Sequence, residues 1–449
     1  MFHFIKSRSG LTCQLHHNSI CRIPDDSHAG YWGALVLVAW LVADVFFHVN
    51  FHVSAWVGGV PALLLPLVFG FYVMVLHEMP RCRALRMPTP PLDSRWRWRS
   101  AFMRFLVVFA AISVTTALVH SHYYFLGDAF HFTRDFYFSI WCLVLLFGLP
   151  YMLVTLRYRG ESVLDFNDFS IVLLAGGRAL KRWLAAKLHG RSSARHLASL
   201  KNRRLRKMLL VYLVNVFFLT LMTRFFAQQW ADASLDFKQI LQDLHGKIFY
   251  FDFFSRIHLL LIHVFLTIDT GLAIIAYTVS TRWLGNRVQS IDMTASGWAA
   301  ALLCYPPFND ALSQFIGYGR FETTHWLTWD WAKMLVMTLV LVCMGVYVWA
   351  TMALGFKFGN LVNRGIVSSG PYRYLRHPAY AAKNLSWWLD NTHVLTNPAA
   401  SLALLAWNMV YWWRGTTEEH HLLRDAGYRR YSESTRTRFL PRLSITTGQ

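Results

Sequence analysis

The chain alternates long apolar runs with polar segments, and this pattern predicts membrane-spanning helices. An α-helix of about twenty apolar residues is long enough to cross a bilayer. Eight such runs are predicted at residues 31–49, 57–77, 101–119, 136–156, 208–226, 257–280, 297–317 and 332–354. A last apolar stretch, 381–413, is too long for one span and has Asn397-Pro398 near its middle, which favours a helical hairpin. The predicted fold class is all-α: a polytopic integral membrane helical bundle of about ten spans.

The distribution of charged residues predicts how the protein is oriented in the membrane. The 449 residues are 55% hydrophobic and 15% charged, with a formal net charge of +20. Such a charge on a soluble protein would suggest a nucleic acid partner. Here Lys and Arg concentrate in the loops after the second and fourth runs, and the positive-inside rule assigns those loops to the cytoplasm. We therefore expect no nucleic acid partner, and a multi-pass protein of a bacterial inner membrane or the endoplasmic reticulum with both termini cytoplasmic.

Two kinds of polar feature inside the apolar pattern need an interpretation. Residues 169–188 mix apolar side chains with Arg and Lys, which predicts an amphipathic helix on the anionic inner leaflet, in contact with membrane lipids. Asp44 and Asp269 lie within apolar runs, so we expect both carboxylates to face the protein interior.

The sequence gives little support for a metal centre. Its six Cys show none of the paired spacings typical of zinc sites. Five His fall on the same predicted outer face, which leaves a metal or haem site open as an alternative: His48, His52, His120, His122 and His131. Because no carboxylate-rich or Cys pattern accompanies them, we predict no bound metal.

Two polar blocks stand out beside the last apolar stretch. The first, residues 365–380, reads GIVSSGPYRYLRHPAY and combines helix-breaking residues with Arg, His and Tyr. The second begins at Glu418-Glu419 and ends at Pro441. A hairpin between them returns the chain to the same side of the membrane. We therefore expect the two blocks to form one site at the cytoplasmic interface, because unpaired polar groups are costly next to lipid.

The residue types in these blocks fit a ligand that carries a carboxylate, an ammonium group and a ring. Arg and His facing a Glu pair can hold a zwitterion, and the Tyr rings offer flat surfaces to a heterocycle or a positive centre. S-adenosylmethionine has these groups together. The residues alone leave a second interpretation open, in which the charges satisfy one another and lipid phosphate.

The complete pattern resembles the isoprenylcysteine carboxyl methyltransferase and phospholipid methyltransferase superfamily of integral membrane enzymes. The matching motifs are G-P-Y at 370–372, R-H-P-x-Y at 376–380, E-E at 418–419, G-Y-x-x-Y at 427–431 and the final Pro441. The resemblance implies an S-adenosylmethionine-dependent methyltransferase with a lipid-soluble acceptor: an isoprenoid, a prenyl thioether or a phospholipid. The cofactor-binding residues it implies are Tyr372, Arg376, His377, Pro378, Tyr380, Glu418 and Glu419. Arg414 matches an Arg that meets the methyl acceptor in such enzymes, and it is the implied catalytic residue.

The resemblance covers only residues 257–445. It divides the chain into an N-terminal membrane region of about five spans, 1–255, whose function it leaves open, and a methyltransferase-like domain, 256–449, with a five-span core. One departure lies at the cofactor or acceptor side of the implied pocket, where the family usually has a small residue, often Gly, shortly after R-H-P-x-Y. This chain has Ala381-Ala382-Lys383-Asn384 there.

Two alternatives come from other functional classes. Membrane sterol or isoprenoid reductases share a related hairpin but use NADPH, and they follow it with Asp-Glu and a Cys-bearing stretch. Here Glu418-Glu419 is followed by His420-His421, which favours the methyltransferase. The second alternative is a non-catalytic membrane scaffold or transport component.

Overall fold

The computed structural model describes residues 27–51, 60–83, 94–159, 169–189, 203–244, 249–280, 284–310, 327–391, 394 and 397–439. Within these residues the chain is almost entirely helical, which confirms the all-α fold class. The helices are α1 (Ala29–Phe51), α2 (Val60–Arg83), α3 (Ser94–Ser121), α4 (His131–Arg159), α5 (Phe169–Leu188), α6 (Arg203–Asp243), α7 (Tyr250–Thr278), α8 (Ala295–Leu302), α9 (Asp330–Leu354), α10 (Pro378–Asp390), α11 (Pro398–Leu422) and α12 (Ala426–Ser434).

Six of the described helices are long and apolar enough to cross a membrane: α1, α3, α4, α6, α7 and α9. The chain is therefore a multi-pass membrane protein. In α2 the apolar part is a shorter segment, Leu63–Glu78. The predicted hairpin is formed by α10 and α11, although 13-residue α10 reaches only about 20 Å. The count of about ten spans therefore exceeds the six that the described residues contain.

The predicted run at 297–317 is not a spanning helix in the described residues. Helix α8 has 8 residues and ends at Leu302, and turns follow from Leu303 to Asn309. Pro306 and Pro307 have no N–H group to continue a helical hydrogen-bond ladder. The first part of this prediction was therefore wrong; residues 311–326 lie outside the described residues, so the remainder stays a prediction.

Helices from both halves of the chain pack against one another. Long α6 pairs with α7, and their polar ends are joined by Asp236–His263 at 2.6 Å and Asp243–Arg256 at 2.9 Å. The predicted division at 255/256 falls inside α7. Helix α1 packs against both α7 and α9. The helices that precede residue 250 therefore contribute to the surroundings of the C-terminal region.

Glycines allow the close approach of α1 to the end of α9. A Cβ atom on Gly30 would lie 2.0 Å from the Met352 carbonyl oxygen, and one on Gly355 would lie 3.1 Å from the Gly30 backbone nitrogen. Gly355 has φ +47°, a backbone conformation that also favours glycine. Trp349 Nε1 donates to Tyr31 Oη at 3.0 Å beside this contact. The backbones of α1 and of the turn after α9 therefore touch directly.

We expect Gly30→Ala to destabilise the protein, because the new methyl group overlaps a backbone oxygen that has little room to move. Overpacking of this kind costs about 1–3 kcal/mol, so the thermal midpoint in detergent should fall by a few degrees. The matched control is Gly345→Ala in α9, where the added Cβ meets no atom within 4 Å. Equal midpoints for the two variants would contradict the proposed close contact.

Asp269 is buried, as predicted, and is held by hydrogen bonds from the neighbouring helix. Its two carboxylate oxygens accept from Tyr347 Oη and Thr351 Oγ1, each at 2.6 Å. The Lys383 ammonium group lies over the rings of Tyr347 and Trp387, at 5.1 and 5.5 Å from their centroids. Asp44 also has an interior partner, since Trp230 Nε1 donates to its carboxylate at 3.1 Å.

Residues 169–188 form a single helix, α5, as the sequence predicts. Its basic side chains Arg178, Lys181 and Arg182 are exposed, and so are Leu180 and Leu184. Exposed cations beside exposed leucines suit the boundary between headgroups and acyl chains. Its location on the inner leaflet stays a prediction.

Candidate functional site

The first polar block is shaped by a series of turns between α9 and α10. A two-stranded antiparallel ladder pairs β1 (Ser290–Ile291) with β2 (Val362–Asn363) and fixes the chain after α9. A 3₁₀ turn, Gly370–Arg373, then begins at Gly370, whose φ of +61° suits glycine. Pro378 occupies the first turn of α10, where its missing N–H group costs nothing. These turns place residues 376–380 next to α11.

The two polar blocks meet as predicted. The backbone N–H groups of Arg376 and His377 donate to the carbonyl oxygens of Thr437 and Arg438, both at 3.0 Å. Tyr431 Oη donates to the Tyr372 carbonyl at 2.7 Å. The segment after α12 therefore runs along the start of α10, and the second block covers the first.

Glu419 is the centre of a buried ionic cluster. Its side chain is 1% exposed, and its oxygens lie 3.1 Å from His377 Nε2, 3.3 Å from Arg376 Nη1 and 2.7 Å from Arg438 Nη2. Burial raises the pKa of this carboxyl group, but the His377 hydrogen bond and the neighbouring positive charges outweigh it, and the net effect lowers the pKa. The three partners thus saturate Glu419 and tie α10, α11 and the C-terminal segment together.

His377 is also held by stacking on both faces. Its ring lies 5.3 Å from Tyr380, with an interplanar angle of 7°, and 5.1 Å from Phe439, with an angle of 21°. Gly415 leaves space for this stack, because a Cβ there would lie 2.7 Å from Phe439 Cζ. The ring of Tyr380 is thereby fixed in orientation.

Glu418 differs from its neighbour because it faces an open pocket. It accepts a hydrogen bond from Tyr380 Oη at 2.7 Å. The pocket contains about 360 Å³ of empty space, including its open mouth. One face of α11 forms a wall of it: Arg414, Thr417, Glu418, His421 and Leu422. Tyr380, residues 360–362, Asp292 and two small residues of α8, Gly297 and Ala301, form the remaining lining.

Arg414 lies buried at one end of this pocket. Its guanidinium carbon is 4.9 Å from the Tyr380 ring centroid, 5.6 Å from that of Tyr305 and 5.9 Å from that of Tyr411. One of its nitrogens donates to Asn360 Oδ1. Within the described part of the chain, no carboxylate forms an ion pair with Arg414. A buried cation held by an amide and three aromatic rings is well placed to orient an anionic ligand atom.

His421 lies two turns after Arg414, toward the C-terminal end of the α11 wall. It is buried, and its Nε2 lies 2.9 Å from Ser290 Oγ on β1. Burial is the main cause that lowers the pKa of this imidazole, so the neutral form is favoured at neutral pH.

The eight predicted site residues separate into three groups. Arg414, Glu418 and Tyr380 line the pocket, whereas Arg376, His377 and Glu419 form the ionic cluster beside it. Pro378 begins α10, and Tyr372 contributes its backbone carbonyl to the contact with Tyr431. Pro441 lies outside the described residues.

Several residues at the site were not predicted. Arg438 and Phe439 belong to the second polar block, directly before Leu440 and Pro441, so a local signal for them exists in the sequence. Asn360 and Asp292 have no local motif, and only the topology of the chain brings them to the pocket. No group of three or more His, Cys, Asp or Glu that could hold a metal ion occurs among the described residues, and His52 lies outside them.

Comparison with known proteins gives one family and no individual relative. Residues 331–428 match the family model described as phospholipid methyltransferase. Searches of curated proteins and of solved structures give no match to this chain. The matched range starts in α9, contains α10 and α11, and ends in α12, so it includes every pocket residue on α11. The C-terminal region of this membrane protein, residues 331–428, is thus similar to the phospholipid methyltransferase family.

Proposed function

We propose that the protein transfers a methyl group from S-adenosylmethionine to a lipid-soluble acceptor within the membrane. The family match supports a methyltransferase that acts on lipid. The observation that carries the proposal is the pocket in which a carboxylate, Glu418, and a buried cation, Arg414, lie one helical turn apart on α11. The carboxylate suits the ammonium group of a sulfonium cofactor, and the cation suits an anionic group of the acceptor.

Glu418, rather than Glu419, is the residue we assign to the cofactor's ammonium group. Glu419 already has three cationic partners, and its side chain is almost fully buried. Glu418 has one hydrogen-bond donor, Tyr380, and reaches the pocket. In this assignment Arg376, His377 and Glu419 act as positioning residues, because they fix the α10–α11 contact and the Tyr380 ring.

Catalysis of methyl transfer depends mainly on positioning the cofactor and the acceptor. A nucleophilic atom of the acceptor attacks the methyl carbon as the carbon–sulfur bond breaks, and the bonding electrons leave with sulfur, which gives neutral S-adenosylhomocysteine. Holding the two reactants in line can supply most of the rate gain, and the step needs no metal. Arg414, buried in the pocket wall, would orient an anionic group of the acceptor. An isoprenoid acid, a prenyl-cysteine carboxylate or a phospholipid provides such a group.

Calorimetric titration of the detergent-purified protein with S-adenosylmethionine tests the proposal. We expect binding by the unmodified protein, and a roughly 10- to 100-fold weaker affinity for Glu418→Gln, because a charged hydrogen bond is worth about 1.5–3 kcal/mol. The Tyr380 hydroxyl can still donate to the Gln amide oxygen, so the fold should be preserved. The matched control is Glu433→Gln on the exposed face of α12.

NADPH provides the contrasting ligand in the same experiment. Binding of NADPH without S-adenosylmethionine would overturn the proposal in favour of a membrane reductase. Binding of neither would favour a non-catalytic scaffold. Equal affinity of Glu418→Gln and Glu433→Gln for S-adenosylmethionine would contradict the role of Glu418.

A further inference from the structure

Asp292 places a second carboxylate in the pocket, from outside the range that matches the family. It lies between β1 and α8 and is 4% exposed. Its Oδ1 accepts from Thr294 N at 2.9 Å and from Thr294 Oγ1 at 2.8 Å. No described residue donates to Oδ2. One oxygen thus holds the loop, and the other remains available to a ligand.

The start of α8 leaves room for that available oxygen. A Cβ atom on Gly297 would lie 2.0 Å from Asp292 Oδ2, so any larger residue would displace the carboxylate. Gly297 N is in turn capped by Thr294 Oγ1 at 3.1 Å. Ala301, one turn further along α8, is another small residue on the pocket wall. Asp292 lines the pocket, and a carboxylate oxygen is an acceptor only, so Oδ2 is suited to a ligand hydroxyl or amine.

The position of Asp292 along the pocket is set by β1. Ser290 contacts His421 at 2.9 Å, and Asp292 follows two residues later, so Asp292 lies near the His421 end. Arg414 and His421 are seven residues apart on α11, about 10 Å along the helix. Glu418 lies between them. The carboxylate of Asp292 therefore faces the part of the ligand that is remote from Arg414.

We propose that Asp292 Oδ2 accepts a hydrogen bond from a ribose hydroxyl of the S-adenosylmethionine adenosyl group. This inference rests on the proposed function. With the acceptor at Arg414 and the cofactor's ammonium group at Glu418, the nucleoside occupies the His421 end. The ribose is one methylene from sulfur, whereas the amino group of adenine is several bonds further away. A carboxylate is an acceptor only, and the ribose diol supplies two donors.

Asp292→Asn is a nearly isosteric test. The Asn side-chain oxygen can keep both hydrogen bonds to Thr294, while an NH₂ group replaces the available oxygen. Full-length protein in detergent would be titrated with S-adenosylhomocysteine and with its 2′-deoxy and 3′-deoxy analogues. We expect one deoxy analogue to bind the unmodified protein about 10- to 100-fold more weakly. Asp292→Asn should bind S-adenosylhomocysteine more weakly by a similar factor and show no further loss with that analogue.

Gly297→Ala provides a second variant that keeps the carboxylate but displaces it, and it should show the same pattern. If the deoxy analogue loses as much affinity for Asp292→Asn as for the unmodified protein, the inference is overturned. Asp292 would then act on another group of the ligand or through the fold. Unchanged affinity of Asp292→Asn would overturn it as well. If the unmodified protein binds no S-adenosylhomocysteine, the proposed function itself fails, and the ribose assignment fails with it.

Discussion

Glu419→Gln is expected to lower the free energy of unfolding by about 3 kcal/mol. Removal of one partner from a buried ion pair costs about 3–5 kcal/mol, because the other charges remain buried without compensation. We place the effect at the low end since Arg438 is 42% exposed and screened by water. The thermal midpoint in detergent should fall, and the chain after α12 should become sensitive to proteases that cleave at Arg436 or Arg438.

Glu433→Gln on α12 is the control, since Glu433 is exposed and should leave both measurements unchanged. The pH dependence gives a second readout. The folded pKa of Glu419 is below its ordinary value of 4.5, so its contribution is complete above about pH 4.5 and is lost as pH falls through the folded pKa. Glu419→Gln should lack this part of the acid-induced loss. A thermal midpoint equal to that of the control would show that the cluster is not a structural tie.

Arg414→Lys is expected to reduce methyl transfer by at least about 100-fold while leaving affinity for S-adenosylmethionine within a few-fold. The guanidinium plane reaches Asn360 and three tyrosine rings together, and an ammonium group cannot reproduce this arrangement. Loss of one preorganised electrostatic contact to reacting groups is worth about 10²–10³ in rate. Because lysine retains the positive charge, the loss of methyl transfer would report the geometry of the guanidinium group rather than its charge.

The control is Arg424→Lys on the exposed turn after α11, which should retain full activity. Methyl transfer from labelled cofactor into an isoprenoid acid, a prenyl-cysteine or a phospholipid would be measured alongside calorimetric binding of the cofactor. If Arg414→Lys is about as active as the control, Arg414 has a structural role and does not orient the acceptor. Loss of cofactor binding would instead assign Arg414 to the cofactor carboxylate.

The sequence predicted the spanning helices where hydrophobicity alone decides structure. The predicted run at 208–226 is much shorter than α6, which continues to Asp243. The additional turns carry Asp236 and Asp243, whose charges interrupt the apolar pattern but pair with His263 and Arg256 on α7. Tertiary partners, which a hydropathy pattern does not contain, support this part of the helix.

At the site, too, short sequence motifs predict some features, whereas others depend on contacts that only the folded chain creates. Arg376, His377 and the Glu pair belong to short motifs, so the sequence predicts that they come together. Their different tasks were not predicted, because only the fold buries Glu419 against three cations and leaves Glu418 at the pocket. Asp292 lies more than a hundred residues from the Glu pair, and it reaches the pocket only through the pairing of β1 with β2.

The contact between α1 and the turn after α9 has a consequence for how this protein can change over evolutionary time. Gly30 and Gly355 meet through their backbones, so an added side chain on either one would push the two segments apart, and the other glycine has no side chain to lose in compensation. Gly355 begins the turn that leads to Asn360 and β2 at the pocket. The two positions are therefore under joint selection, and the first helix and the methyltransferase region should be inherited as one unit rather than exchanged as separate modules.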